Sequence, residues 1–318
     1  MRLANDTAEL VPRTSFEGPE LRFDFPGIEV GVAEYDEGPT GCTVFSFPKG
    51  ASSSIDVRGG SPGVSGTGYE FVDAICLAGG SLYGLEAAAG VAAELLVRRD
   101  YRTGWLDIPL VAGAIIFDWG PRDNAVYPDK ELGRAGLRAA RPGVFPLGLR
   151  GAGRSATAGK LFAYEEGEPT GQGAAFREVG ETKLAVFTVV NAVGAIVDRD
   201  GSVVRGHYER KSGLRRALVA GVEERLATGR PVRPPPGNTT LTVVATNLRL
   251  DARQLRTFGR QVHASMARAI QPFHALEDGD VLFAVSTAEV EEDPLLDTTA
   301  LGVVASELAW DAVLSVGR

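Results

Sequence analysis

Pro234-Pro235-Pro236-Gly237-Asn238-Thr239-Thr240 runs directly into Leu241-Thr242-Val243-Val244-Ala245-Thr246-Asn247. Prolines fix φ and donate no backbone hydrogen bond, so 231–236 reads as an exposed linker. Val243 and Val244, flanked by Thr240, Leu241 and Thr242, read as a buried strand. The junction therefore puts Thr239 at the start of a core strand, with a loop arriving from solvent. Two readings of it stand side by side. One is a proline-rich loop entering a strand. In the other, the Thr239 hydroxyl attacks the carbonyl of Asn238 through a five-membered ring, the amide becomes an ester, and water cleaves the ester. The new chain would begin with Thr239, carrying a hydroxyl nucleophile and an α-amine of pKa roughly 7.7–8.0.

The rest of the chain bounds what such a site could serve. At 318 residues it can bury one large core or two modest ones. A net charge of −8 argues against nucleic acid or an anionic membrane as main partner. No apolar run approaches the roughly 20 residues of a membrane span, and Met1 to Glu20 lacks the pattern of a secretory signal. Cys42 and Cys76 sit in apolar contexts and read as buried free thiols of a reducing, cytoplasmic compartment. Three histidines and two cysteines argue against a dedicated zinc site.

Residues 1–20 read as a loose arm, and 21–318 as one domain of sheets with helices outside. Upstream of the junction, strands are expected over Leu21–Gly31, Cys42–Phe47, Ile55–Arg58, Val72–Ala78 and Ile108–Trp119. Lys183–Val190 and Gly194–Asp198 read as a hairpin. Helices are expected over Leu82–Arg98, Asp129–Ala140 (capped by Asp129) and Leu214–Leu226. Downstream follow a helix over Asp251–Ile270, a strand over Val281–Ser286, an acidic loop over Glu289–Asp293 and a helix over Thr298–Val316. His263 lies beside the apolar helix face and reads as structural.

Several local signals carry chemistry only weakly. Gly79-Gly80-Ser81 joins a strand to a helix, but G-x-S-x-G needs glycine where Tyr83 stands, so a backbone role for the glycines is preferred to a Ser81 nucleophile. Gly151-Ala152-Gly153-Arg154-Ser155-Ala156 matches a dinucleotide pattern without the helix that must follow it. It reads instead as part of a flexible glycine-rich loop, running on to Gly173, that delivers one cation, Lys160. Asn191 ends a very apolar run and reads as a turn residue. Asp278-Gly279-Asp280 reads as a turn; two carboxylates without further oxygen ligands make a poor calcium or magnesium site.

Taken together, these stretches resemble one family. Gly237-Asn238-Thr239-Thr240 with Val243-Val244-Ala245-Thr246, Asp278-Gly279-Asp280 before Phe283-Ala284, and Leu77-Ala78-Gly79-Gly80-Ser81 with Gly84-Leu85-Glu86-Ala87-Ala88 resemble the self-processing aminopeptidases. These N-terminal nucleophile hydrolases include the L-aminopeptidase/D-esterases and β-peptidyl aminopeptidases. Leu21-Arg22-Phe23-Asp24-Phe25-Pro26-Gly27, Glu37-Gly38-Pro39-Thr40-Gly41, Ala125-Val126-Tyr127-Pro128-Asp129-Lys130, Thr170-Gly171-Gln172-Gly173-Ala174-Ala175-Phe176 and Gln271-Pro272-Phe273-His274 are closest to its nylon-oligomer-hydrolysing branch. The likeness runs from about residue 21 to the C-terminus.

The resemblance implies an α/β, four-layer α-β-β-α sandwich, cut at Asn238-Thr239 into an α chain (1–238) and a β chain (239–318). By the same likeness Thr239 is the nucleophile, Asp278 and Asp280 are the carboxylates beside it, Asn191 is the oxyanion-stabilising amide and Lys160 the active-site lysine. No metal or cofactor is implied. The implied partners are a small linear amide or peptide and further copies of the chain, as a tetramer of α/β pairs. Gly79, Gly80 and Ser81 would border the substrate pocket. One position departs: Phe117-Asp118 stands where the nylon hydrolases carry tyrosine before aspartate, so Phe117 lines the pocket at most. Endo-type cleavage of 6-aminohexanoate oligomers is the leading expectation. An exo-acting aminopeptidase with D-esterase side activity is the second. An unprocessed binding protein is the third, opposed by the intact Thr239, Asn191, Lys160 and aspartates.

Overall fold

The computed structural model describes residues 2–120, 122–291 and 296–317. Its main elements are β1 (Glu29–Tyr35), β2 (Thr40–Val57), β3 (Phe71–Ala78), α1 (Glu86–Arg98), β4 (Val111–Ile115), α2 (Lys130–Arg138), β5 (Gly171–Val179), β6 (Thr182–Asn191), β7 (Thr239–Leu248), α3 (Ala252–Ser265), β8 (Val281–Val290) and α4 (Thr298–Leu314).

Hydrogen bonding links the strands in the order β5-β6-β7-β8-β2-β3-β4, with β1 also on β2. β7–β8 and β3–β4 run parallel. The long strand β2 joins two layers. Its first part, Thr40–Ser46, pairs with β1, and Cys42–Ser46 also pairs with β3. Its last part, Ser52–Val57, pairs with β8. The register toward β3 shifts between Ser46 and Ala51.

Side-chain alternation builds three cores around these two layers. Odd-numbered residues of β6 and β7 (Ala185, Phe187, Val189; Leu241, Val243, Ala245) meet Phe45, Ile75 and Leu77 between the sheets. Even-numbered residues (Leu184, Val186, Val190; Val244) pack outward on Leu255, Phe258, Leu301 and Leu308 of α3 and α4. On the opposite outer face, Val44, Ala74, Cys76 and Ala78 pack on Ala87, Val91, Leu132 and Leu137 of α1 and α2. The order is helix, sheet, sheet, helix, as expected. The Asp129 cap read from sequence is formed, its side chain accepting from Leu132 N–H, and the structure adds a capping box between Asp251 and Gln254. Cys42 and Cys76 are free and buried. No helix of the described residues is long and apolar enough to cross a membrane.

Several expected elements differ. The Leu21–Gly31 stretch breaks into Glu20–Arg22 and β1, whereas Cys42–Phe47 and Ile55–Arg58 are parts of one strand. Ile108–Trp119 shortens to β4, and the helix from Leu82 begins as a 3-10 turn over Ser81–Leu85. Leu214 and Arg215 form a short strand, so the helix there starts at Leu218. The glycine-rich segment is neither loose nor a loop to its end: Ala152, Ala156 and Ala158 are fully buried, and Gly171 opens β5. Glu289 and Val290 extend β8; residues 292 and 293 of the expected acidic loop lie outside the described residues.

The expected hairpin is also absent. β6 pairs with β5 and β7, while Ala195–Val197 joins Val203–Arg205 and Ile270–Gln271. Apolar periodicity marks strands but not their partners. The turn between them has another use, because Val193 and Gly194 carbonyls accept from the Lys160 and Gly159 N–H groups. The N-terminal arm, of which Met1 is outside the described residues, is tied down where Arg13 and Glu34 exchange both backbone hydrogen bonds at 2.9 Å.

Phe187 sits at the centre of the inter-sheet core, its ring 5.0–5.4 Å from those of Phe23, Phe45 and Phe145. Phe187→Ala should lower stability by about 3–5 kcal/mol, read as a fall in the urea midpoint. A loss below 1 kcal/mol would contradict this packing.

Candidate active site

Thr239 opens β7 directly opposite Asn191, the last residue of β6. It shares the inward parity of Leu241 and Val243 and is 3% exposed. The linker before it is partly exposed, but Asn238 is buried. Asn238 is pinned by its own backbone: its N–H donates to the Glu277 carbonyl and its C=O accepts the Gly279 N–H at 2.8 Å. Its side-chain amide donates to Pro235 O at 2.6 Å, which closes the end of the proline run. The Thr239 hydroxyl donates to the same Asn238 carbonyl oxygen at 2.5 Å. One peptide oxygen thus faces both the adjacent hydroxyl and a fixed backbone donor.

The Asn191 side chain is oriented by four partners. Its Oδ1 accepts from Lys160 Nζ and Thr157 N–H, each at 3.1 Å. Its Nδ2 donates to Phe117 O at 2.9 Å and Gly237 O at 3.4 Å. With one cation and one backbone N–H on one side and two carbonyls on the other, only this amide orientation satisfies the network. Gly237 has φ +85°, and a Cβ there would fall 2.7 Å from the Phe117 ring, so only glycine brings the linker this close.

Asp278 and Asp280 are fully buried. Asp278 bridges Asn238 in parallel register, and its carboxylate accepts from Val193 and Ala275 N–H at 3.1 Å. Burial and the Asp280 charge push its pKa well above the usual carboxylate range, against the pull of those N–H groups and Lys160. Asp280 accepts from the Thr240 N–H at 2.7 Å. Its other oxygen accepts from the His274 backbone N–H at 3.1 Å and meets His274 Nδ1 at 2.9 Å.

The structure therefore gathers Thr239, Asn191, Lys160, Asp278 and Asp280 around one peptide bond. Phe117 borders this group through its ring and its carbonyl. Gly79, Gly80 and Ser81 stand one step away. Gly80 N–H donates to Asp118 Oδ1 at 2.9 Å, and a Cβ on Gly79 would meet Asp118 Oδ2 at 2.2 Å. Asp118 is itself held by the buried Arg122 at 2.6 Å and by Thr40 Oγ1. The Ser81 N–H is taken by Ile116 O, so this turn supports the strand end that carries Phe117. Four participating residues were not read from sequence. Gly279 acts through its backbone, which no residue type advertises. Asp118–Arg122 are four apart but not on a helix. His274, six residues before Asp280, was quoted only for family likeness.

Such an array can present a hydroxyl to a carbonyl, hold the developing oxyanion, and place a lysine against the amide that would do so. Burial lowers the Lys160 pKa from 10.5 to about 7, with Asp278 opposing. The unfolded chain then binds the extra proton between those values, so stability should rise with pH across that window and be lost as pH falls toward 7. In a Thr239→Ala background, the Lys160 protein should gain on a Lys160→Met variant by up to about 1.4 kcal/mol per unit from pH 7 to 10 in urea unfolding. A constant difference would contradict the depressed pKa.

The same architecture recurs in known proteins. Residues 23–316 match the model of Peptidase family S58. The chain is 50% identical to the 6-aminohexanoate-oligomer endohydrolase of an Agromyces species, over 99% of this chain and 90% of the relative. The protein of the same name from Paenarthrobacter ureafaciens is also 50% identical over the same shares. The solved L-aminopeptidase D-Ala-esterase/amidase of Ochrobactrum anthropi, described as a variant of the Ntn hydrolase fold, superposes with a TM-score of 0.67 at 17% identity, covering 95% of this chain and 88% of that one. A Burkholderia β-aminopeptidase gives 0.64 at 17%, with 95% and 88% covered. At such identities the superpositions carry the fold alone, and the fold is that of the Ntn hydrolases. The near full-length match of the sequence itself goes further: the chain belongs to peptidase family S58.

Proposed function

We propose that this chain cuts itself between Asn238 and Thr239 and then uses the new N-terminal Thr239 to hydrolyse linear amides, of the 6-aminohexanoate-oligomer kind, by endo-type cleavage. The observation that carries the reading is the Asn238 carbonyl, whose oxygen meets the Thr239 hydroxyl at 2.5 Å and the Gly279 N–H at 2.8 Å. The substrate class is supported by relatives at 50% identity that are named for it.

In self-cleavage, Thr239 Oγ1 adds to the Asn238 carbonyl carbon, and the Gly279 N–H stabilises the oxyanion. The C–N bond breaks, the hydroxyl proton ends on the departing Thr239 nitrogen, and an ester joins the two chains. Water hydrolyses it, leaving an Asn238 carboxylate and a free Thr239. In turnover, the Thr239 α-amine accepts the Oγ1 proton as Oγ1 adds to the substrate amide and delivers it to the leaving amine as the C–N bond breaks; water then hydrolyses the acyl ester on Oγ1, releasing the acid and restoring the Thr239 hydroxyl. Departure of the linker frees the Asn191 Nδ2 donor now held by Gly237 O, which can then meet the substrate oxyanion. Lys160 keeps that amide oriented through its Oδ1. Asp280 holds the Thr240 N–H and so fixes the free end of β7. Asp278 anchors the turn that carries the Gly279 N–H.

Intact mass under denaturing conditions should show two species divided between Asn238 and Thr239. Thr239→Ala should remain one species near 33.5 kDa and lose amide hydrolysis; a Thr239→Ala protein that still cuts itself would sink the mechanism. Asn191→Ala, assayed as the processed enzyme, should lose about 10²–10³-fold in kcat. N-acetylated oligomers should be cut, whereas sparing them would point to an enzyme that requires a free amine.

A further inference from the structure

Two of the three histidines of the chain stand behind Asp280. His274 grips Asp280 Oδ2 twice, through its backbone N–H and through Nδ1. It does so from a left-handed backbone conformation, φ 60°, which side chains other than glycine rarely adopt. His263, from α3, packs edge-on against the His274 ring with centroids 4.5 Å apart and planes at 82°. His263 Nδ1 meets Asp56 Oδ2 at 2.9 Å, and Arg58 Nε holds the same oxygen at 2.7 Å. Phe273 lies against His274 with 3.9 Å between centroids and also meets His263 edge-on at 5.7 Å, so the three rings form one cluster. The Nε2 atoms of both histidines are buried without a hydrogen-bond partner. Each imidazole is therefore committed through Nδ1 to one carboxylate, and each ring blocks rotation of the other.

We propose that His274, braced by the His263–Asp56 pair, is a positioning residue for hydrolysis: it holds Asp280, and through Asp280 the Thr240 N–H, so that Thr239 keeps its place once the chain is cut. The inference rests on the reading of Thr239 and Asp280 given above. Its logic is mechanical. Before cleavage Thr239 is fixed from both sides along the chain. Afterwards it is a free terminus, and its neighbour's N–H on Asp280 Oδ1 becomes a main tether, alongside the pairing with Asn191. A carboxylate that rotates would release it. An N–H on the second oxygen prevents the rotation. The charged or titratable groups around His274 are Asp280 and Asp278 on its own loop, His263 and Arg260 from α3, and Asp56 and Arg58 from β2 and its end. His263 is pushed toward the neutral form, chiefly by burial. Burial thus favours the uncharged ring over the pull of Asp56, and the nearby cations Arg58 and Arg260 are spent on Asp56.

The test compares His274→Phe, which keeps ring volume without the donor, with His274→Asn, whose amide N–H can replace Nδ1–H. Processed enzyme is assayed on a soluble 6-aminohexanoate oligomer across pH. His274→Phe should lose about tenfold or more in kcat with KM within about twofold, and the acid limb of its profile should move up by about one pH unit. His274→Asn should recover most of both. An unmoved acid limb in His274→Phe, or an Asn variant no better than Phe, would overturn the proposal. If His274→Phe does not fold, imidazole ¹⁵N spectra of the native enzyme decide: a hydrogen-bonded His274 Nδ1–H that disappears in Asp280→Asn supports it, and its absence refutes it. Asp280→Asn also separates the two readings. If that variant hydrolyses normally, the role of Asp280 falls and this inference with it. If it is inactive while His274→Phe keeps the native profile, only the role of His274 falls.

Discussion

The structure depends on how one peptide group is held. The carbonyl of Asn238 is fixed by the Gly279 N–H, while the residue after it pairs with Asn191 across β6 and β7. Those contacts are part of the sheet itself, made by backbone groups that the fold must satisfy in any case. The geometry around that bond therefore needs no flexible side chain to fix it. The 278–280 turn sits where β8 enters beside β7, and the parallel pairing of those strands sets its height relative to Thr239. Moving β8 by one residue would send every side chain of that strand to the other face and take both aspartates away from the bond.

The same arrangement costs stability. Lys160, Asp278 and Asp280 lie at or below 2% exposure beside an apolar sheet interior. Burying such groups is unfavourable unless they are hydrogen-bonded and paired, and a fold that retains three of them close together must offset that elsewhere. Here the offset is the continuous apolar packing on both faces of β6 and β7, from Phe187 between the sheets to Phe258 and Leu301 beneath the helices. The core with the densest aromatic packing thus lies along the strands that carry the charged cluster at their ends.

Sheets inside and helices outside were legible in the sequence, because stretches such as 184–190 and 241–245 are near-continuous apolar runs of the kind buried on both faces of a sheet and Asp129 is a strong local cap, whereas the four-layer order was implied only by the family likeness. Partners were not legible. Nothing local distinguishes a hairpin at 183–198 from two strands in different sheets, since both give the same periodicity. At the site, Thr239, Asn191 and the 278–280 turn were each ambiguous as single residues and gained meaning from their joint likeness to one family. The structure adds why they belong together, as neighbours across β6, β7 and β8. The Gly279 N–H was invisible because a backbone donor leaves no trace in residue type. Lys160 looked like the tip of a loose loop, because small residues suggest mobility in a sequence but permit tight burial in a fold.

The register between Asn238 and Asp278 has one more consequence. In the intact chain residue 238 ends in a neutral amide, which suits a pocket lined by two carboxyl groups and closed from solvent. A cut at that bond would turn the amide into a carboxylic acid at the same spot. A third acidic group crowded against Asp278 and Asp280 would be repelled and poorly solvated, while its counterpart on Thr239 would be a cation they attract. The severed linker, already proline-stiff and partly exposed, would be driven outward as the new amine is drawn in. The site would clear itself by charge, with the product of its first reaction as the group expelled.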